Sequence, residues 1–154
     1  MACFMIYVVG GCREHKTSGT YGAAAVVLKS VNTGEVIVSY GNFIPRKPDP
    51  TSQRAELTAI IRGLEEAVHR HLTLQYPAPY INVKIHTNSV YAVDCMTMWI
   101  EHWSRNRWID HAGYPVMDYK LLKEAHELHS YLRVFGDVEY YWVPWEYNQE
   151  ADES

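Results

Sequence analysis

The chain is short of positive charge. It carries 14 Lys and Arg against 18 Asp and Glu, a formal net charge of −4 over 154 residues. Proteins that hold nucleic acid by bulk electrostatics have a basic excess, so the charge argues against strong, non-specific binding and leaves a local basic patch open. Cysteine is scarce: Cys3, Cys12 and Cys95 form an odd set with no CxxC pair. That excludes a disulfide framework and points to a reducing, intracellular compartment, nucleus and cytoplasm being indistinguishable. No apolar run is long enough to span a membrane. The apolar start, Met1–Val9, lacks the basic lead-in and the length of a signal peptide and reads better as a strand. Internal repeats, low-complexity tracts and linkers are also missing. One domain with one core is expected over residues 1–154.

Aromatic residues are abundant, with twelve Tyr, five Trp and three Phe. Some must serve the core, and some are available for a contact surface. The eight histidines include His126 with His129 and His69 with His71, but no Cys or third His stands at supporting spacing. They read as surface histidines rather than a zinc site.

Hydrophobic periodicity predicts the element order. Phe4–Val9 is a β-branched and aromatic run ending at Gly10-Gly11, expected as a buried strand. A loop is expected over Arg13–Thr20, a second strand over Tyr21–Leu28, a turn at Asn32-Thr33-Gly34 and a third strand over Glu35–Phe43. Short turns make these three an antiparallel meander. From Thr51 the period changes: Leu57, Ile60, Ile61, Leu64 and Val68 recur at helical spacing, about five turns. A fourth strand follows over Ile81–Thr87, then a helix from Ser89 to Trp103 and an irregular aromatic stretch from Ser104 to Pro115. A last helix is expected over Asp118–Leu132, with Asp118 as N-cap, and a fifth strand over Val138–Val143. A meander followed by strand–helix alternation implies an α/β mixed sheet with helices packed on it.

The junctions are more specific than the order. Gln53-Arg54-Ala55-Glu56-Leu57 opens the first helix, and Thr87-Asn88-Ser89 follows the fourth strand. Trp99-Ile100-Glu101-His102-Trp103 and Asn106-Arg107-Trp108 lie in the middle, and Asn148-Gln149-Glu150-Ala151-Asp152 lies at the end. Together, in this order, they resemble ribonuclease H of the cellular, eukaryote-like type from about Ile6 to Asp152.

The resemblance implies a five-stranded mixed sheet, three antiparallel strands and then parallel additions. It also implies four carboxylates that hold two magnesium ions through hard oxygen ligands. Two of the four positions depart from that pattern. Val9 stands at the first-strand aspartate, and Asn88 at the aspartate after the fourth strand, while Glu56 and Asp152 match. The family's loop with a catalytic His is shorter here, Val143-Pro144-Trp145-Glu146-Tyr147, and has no His. The expectation is therefore a non-catalytic relative: no enzyme, no cofactor, and a scaffold or protein-interaction module in a larger assembly.

The alternatives are a non-cleaving binder of RNA/DNA hybrid or double-stranded RNA and, after it, a residual magnesium-dependent nuclease. By the same resemblance Ser52 and Gln53 match positions that contact RNA, and Trp99 and Trp103 match a groove for DNA. Arg105 and Arg107 follow in a protruding segment and are candidates to meet phosphates. Helical spacing alone leaves core packing equally open for the two Trp residues. The chain stops soon after Asp152, where the family begins a final helix. A domain from a longer protein, completed by its remainder or by a partner, is expected.

Overall fold

A computed structural model describes residues 1–15 and 19–144. Three strands come first: β1 (Ala2–His15), β2 (Gly19–Lys29) and β3 (Val36–Phe43). After them follow α1 (Ser52–Leu72), β4 (Ile81–Thr87), α2 (Val90–Asp94), a π-helical turn (Cys95–Trp99), α3 (Ile100–Arg105), α4 (Tyr119–Phe135) and β5 (Gly136–Trp142). The sheet order is β3-β2-β1-β4-β5. β1 pairs antiparallel with β2, and β2 with β3, while β4 runs parallel to both β1 and β5. This is the five-stranded mixed sheet that the pattern predicts.

Strand parity divides the sheet into two faces. Ile6 and Val8 of β1, Val26 and Leu28 of β2, and Val83 and Ile85 of β4 point to the helix side. There they meet Ala59, Ile60, Leu64 and Ala67 of α1 in one core. Full burial of each Ile or Leu contributes about 1.5–3 kcal/mol. Gly63 lets α1 sit close to the sheet, since a Cβ there would come 2.8 Å from Val8 Cγ1. The opposite face carries Val9, Ala25 and Val27, buried against Tyr7 in a small separate cluster.

Several boundaries differ from expectation for local physical reasons. β1 runs on to His15 because β2 continues to pair with it as far as His15↔Gly19, so most of the expected loop is strand. Thr51 caps α1, its hydroxyl accepting from Arg54 N at 3.1 Å. The expected helix from Ser89 to Trp103 is broken by the π-helical turn between α2 and α3. Asp118 is not an N-cap for α4. It has a left-handed φ of 58° and no side-chain cap bond, and its carboxylate instead accepts from Arg54 at 2.7 Å. Of the expected inward residues of α4, Leu122, Ala125 and Leu132 are fully buried, and Leu121 and Leu128 half-buried. The place of the expected missing final helix lies outside the described residues, as does the shortened loop beyond Pro144.

The histidines are not uniformly at the surface. His71 is buried against Phe135, with ring centroids 4.2 Å apart, and His129 is bonded to the Tyr140 hydroxyl at 2.8 Å. No group of three or more His, Cys, Asp or Glu that could hold a metal occurs among the described residues.

Candidate active site

The chemistry-bearing residues converge where the chain turns from antiparallel meander to parallel additions. In β1 and β4, Val8 lies opposite Thr87. The next residue of each, Val9 and Asn88, therefore falls at the carboxyl end of the parallel pair. In open α/β sheets ligands bind outside the carboxyl ends of strands at such a switch in strand order.

Two contacts bring Glu56 to this place. Gly10 allows the first: a Cβ there would lie 2.1 Å from the Ala55 carbonyl oxygen and 2.7 Å from Glu56 N, so only glycine lets α1 press its first turns onto β1. The second comes from Ser89, the N-cap of α2. Its hydroxyl accepts from Ala92 N at 3.0 Å and donates to Glu56 Oε2 at 2.7 Å. A hydrogen bond from a buried hydroxyl to a carboxylate is charge-assisted and fixes its direction. Glu56 and Asn88 are both half-buried, and Val9 is buried with 7% exposure.

The structure thus assembles three of the four positions singled out by the sequence. It offers one carboxylate (Glu56), one neutral amide oxygen (Asn88) and, at Val9, no donor atom. Asp152 lies outside the described residues. Beside the site, burial pushes the Cys95 thiol up to about 11, with the Asp94 and Glu56 charges adding to the rise and a bond from Tyr91 opposing it. The thiol stays protonated at neutral pH and is a packing group rather than a nucleophile. The Tyr91 hydroxyl is likewise held protonated, first by burial.

The nucleic-acid candidates flank this centre. Ser52 and Gln53 are exposed in the first turn of α1. Trp99 is 46% exposed and Trp103 half-buried. Their rings stack at 6.0 Å and 21° across the junction of the π-helical turn and α3. Core packing therefore accounts for part of Trp103 and for little of Trp99. Arg105 is exposed, its guanidinium 3.9 Å from Glu101, and Arg107 is exposed in a left-handed turn with φ 58°. That turn is fixed by Trp108 N donating to Trp103 O at 2.8 Å and by the bridge of Ile109 to Pro115.

Three features escaped sequence reasoning: the Ser89–Glu56 bond, the Arg54–Asp118 pair and the π-helical turn. The first had a local signal, since Ser at an N-cap position beside an acidic motif invites such a bond. The other two join residues or alter hydrogen bonding in ways that periodicity does not encode.

Comparison with known proteins places this geometry. The family model described as RNase H matches residues 2–153. A Ribonuclease H of Ehrlichia canis (strain Jake) is 34% identical over 152 residues, covering 96% of this chain and 88% of that protein. The foamy viral protease-reverse transcriptase in complex with RNA/DNA hybrid superposes with a TM-score of 0.76 at 16% identity, over 97% of this chain and 19% of that one. LC11-RNase H1 in complex with RNA/DNA hybrid gives a TM-score of 0.62 at 22% identity, over 97% and 91% of the two chains.

These findings correct the sequence expectation. A relative so similar over nearly the whole chain is named Ribonuclease H, the name of an enzyme. That overturns the reading of an inactive scaffold that is no enzyme and takes no cofactor. The physical error was to treat lost protein ligands as a lost cation, although magnesium is commonly held by one or two carboxylates together with substrate phosphates. The match across residues 2–153 and the identity with a bacterial relative carry one conclusion: the chain belongs to the ribonuclease H family.

Proposed function

We propose that this protein is a ribonuclease H that binds RNA/DNA hybrid and cleaves its RNA strand with the help of a divalent cation. The observation that carries the reading is the Glu56 carboxylate, held by the Ser89 hydroxyl at 2.7 Å at the switch in strand order beside Asn88. The donors present suit a hard cation shared with the substrate better than a preformed two-metal cage. Glu56 and Asn88 supply oxygen, Asp152 is the further acid in the chain, and hybrid phosphates complete the set. When bound there, the cation supplies Lewis acidity toward a phosphate and a more acidic water.

The chain's own residues then do the following. Ser89 orients Glu56. Ser52 and Gln53 face the RNA strand, where recognition of a 2′-hydroxyl separates RNA from DNA. The stacked Trp99 and Trp103 support the DNA strand by ring contact, and Arg105 and Arg107 meet phosphates. With a bulk charge of −4, attraction is local to that segment. The junction motifs taken together, from Gln53–Leu57 to Asn148–Asp152, are the support for the cellular, eukaryote-like subtype within the family.

The test is cleavage of a labelled hybrid by native-sequence protein in magnesium and in manganese, with Glu56→Gln and Trp103→Ala alongside. Turnover abolished by Glu56→Gln, and hybrid affinity weakened by Trp103→Ala, are the expected results. Binding without turnover in either metal removes the nuclease half of the proposal. Absence of binding at low salt removes all of it.

A further inference from the structure

The two patches assigned to the hybrid sit on different parts of the chain. Ser52 and Gln53 belong to the first turn of α1, whereas Trp103 lies in α3 and Arg107 in the turn after it. A duplex can meet both only if their separation is fixed. Backbone bonds carry the second patch to Asp118: Trp108 N donates to Trp103 O at 2.8 Å, Val116 N to Trp108 O at 2.9 Å, and Tyr119 N to Val116 O at 3.1 Å. Asp118 stands at the end of that path with a left-handed φ of 58°, and its carboxylate accepts from Arg54 Nη1 at 2.7 Å. Arg54 follows Gln53 directly. Its N–H donates to Thr51 Oγ1 at 3.1 Å and its carbonyl accepts from Thr58 Oγ1 at 2.7 Å, so its backbone is held on both sides. The paired side chains are 18% and 10% exposed, which leaves little water to weaken the bond. A second tie between the same elements is apolar: Leu57 of α1 and Val116 pack in one cluster with Trp103 and Trp108. Apolar contact tolerates sliding, whereas a short charge-assisted hydrogen bond fixes direction.

We propose that Arg54 is a positioning residue. Through Asp118 it sets the separation between the Ser52–Gln53 patch and the Trp103–Arg107 patch, so that both meet one duplex. The inference rests on the hybrid-cleaving reading above. Arg54 itself touches no substrate in it, because its guanidinium is engaged by Asp118. The reacting end is held independently, since Gly10 seats α1 on β1 and the Ser89 hydroxyl holds Glu56 at 2.7 Å. Loss of the Arg54–Asp118 pair therefore loosens the grip on the duplex and leaves the chemical step as it is.

The experiment is steady-state cleavage of labelled hybrid in magnesium by the full chain, at a temperature where circular dichroism shows every variant folded. Asp118→Asn keeps the side chain's shape and a residue type that accepts a left-handed φ. Arg54→Gln removes the charge from the other side. In each, KM should rise about tenfold while kcat stays within about twofold of the parent. Leu132→Ala, buried toward the far end of α4, should lower the melting temperature without moving KM, which separates positioning from stability. An unchanged KM in either variant of the pair, a fall in kcat with KM fixed, or an equal rise of KM in Leu132→Ala overturns the inference and leaves the nuclease reading standing. A parent chain that neither binds nor cleaves hybrid fails at the earlier reading, and the inference falls with it.

Discussion

Val9→Asp is the perturbation that separates the chemistry of the site from its packing. Val9 is 7% exposed and lies with Ala25, Val27 and Tyr7 on the sheet face that bears no described helix. An aspartate there forfeits about 1.5–3 kcal/mol of apolar burial. It also buries a carboxyl among apolar neighbours, at a further cost of about 1–3 kcal/mol or more when charged. Without metal, the variant should lose roughly 2.5–6 kcal/mol, or roughly 5–24 °C in melting temperature at the ~2–4 °C per kcal/mol typical of this chain length.

Metal reverses the sign. A carboxylate about 4 Å from a dication at an effective dielectric of ~20 gains roughly 8 kcal/mol before desolvation and solvent reduce it. If about 1.4 kcal/mol of that reaches the transition state, hybrid cleavage rises about tenfold. Two assays check this, thermal unfolding in chelator and in magnesium, and kcat/KM for hybrid cleavage against magnesium concentration. Val9→Asp should melt lower than the parent in chelator, recover in magnesium by more than the parent does, and cleave faster at limiting metal. A variant that is destabilised equally in both media and no faster would refute the placement of position 9 against the cation.

Other perturbations probe the frame around the site. His71→Phe should stabilise by about 1–2 kcal/mol in chemical denaturation, because both ring nitrogens of His71 are buried without a partner and Phe keeps the packing on Phe135 and Tyr131. A double-mutant cycle of Arg54→Ala and Asp118→Ala should give a coupling of about 1–3 kcal/mol, above the range of exposed pairs, since both side chains are largely buried at 2.7 Å. Stability should rise with pH from about 5 to 7, because the unfolded chain binds protons near the ordinary histidine pKa of ~6.5 that the fold does not. Burial holds His86 and His129 below that value, and replacing either by a neutral residue of similar size should flatten the slope in denaturation series across that window.

The fold was legible because its signals are local and repeated. Val26-Val27 flanked by turn residues, the heptad-like recurrence from Leu57 to Val68 and the alternation of Ile81–Thr87 each specify one element, and their order leaves few topologies. What was not legible depends on partners distant in sequence. β1 extends past Arg13 because β2 offers a ladder there, and Asp118 leaves its capping role because Arg54, 64 residues away, draws its carboxylate. The π-helical turn at Cys95–Trp99 has no signature in hydrophobic period, since one added residue per turn shifts the faces of α2 and α3 without changing composition.

The site divides in the same way. Val9 and Asn88 come just past Val8 and Thr87, the last paired residues of β1 and β4, and Val9 offers no donor atom. Gly10 beside it has no room for a Cβ, because α1 approaches there through Ala55 and Glu56. What sequence reasoning inferred from that absence went further than ligand chemistry allows. A missing carboxylate weakens a cation that is held by protein alone, whereas a cation that arrives with a polyanionic substrate brings phosphate oxygens to the vacant positions. On the proposed function the decisive quantity is therefore the metal affinity of the complex with hybrid rather than of the free protein. Glu56 is the described acid at this place, held by the Ser89 hydroxyl at 2.7 Å.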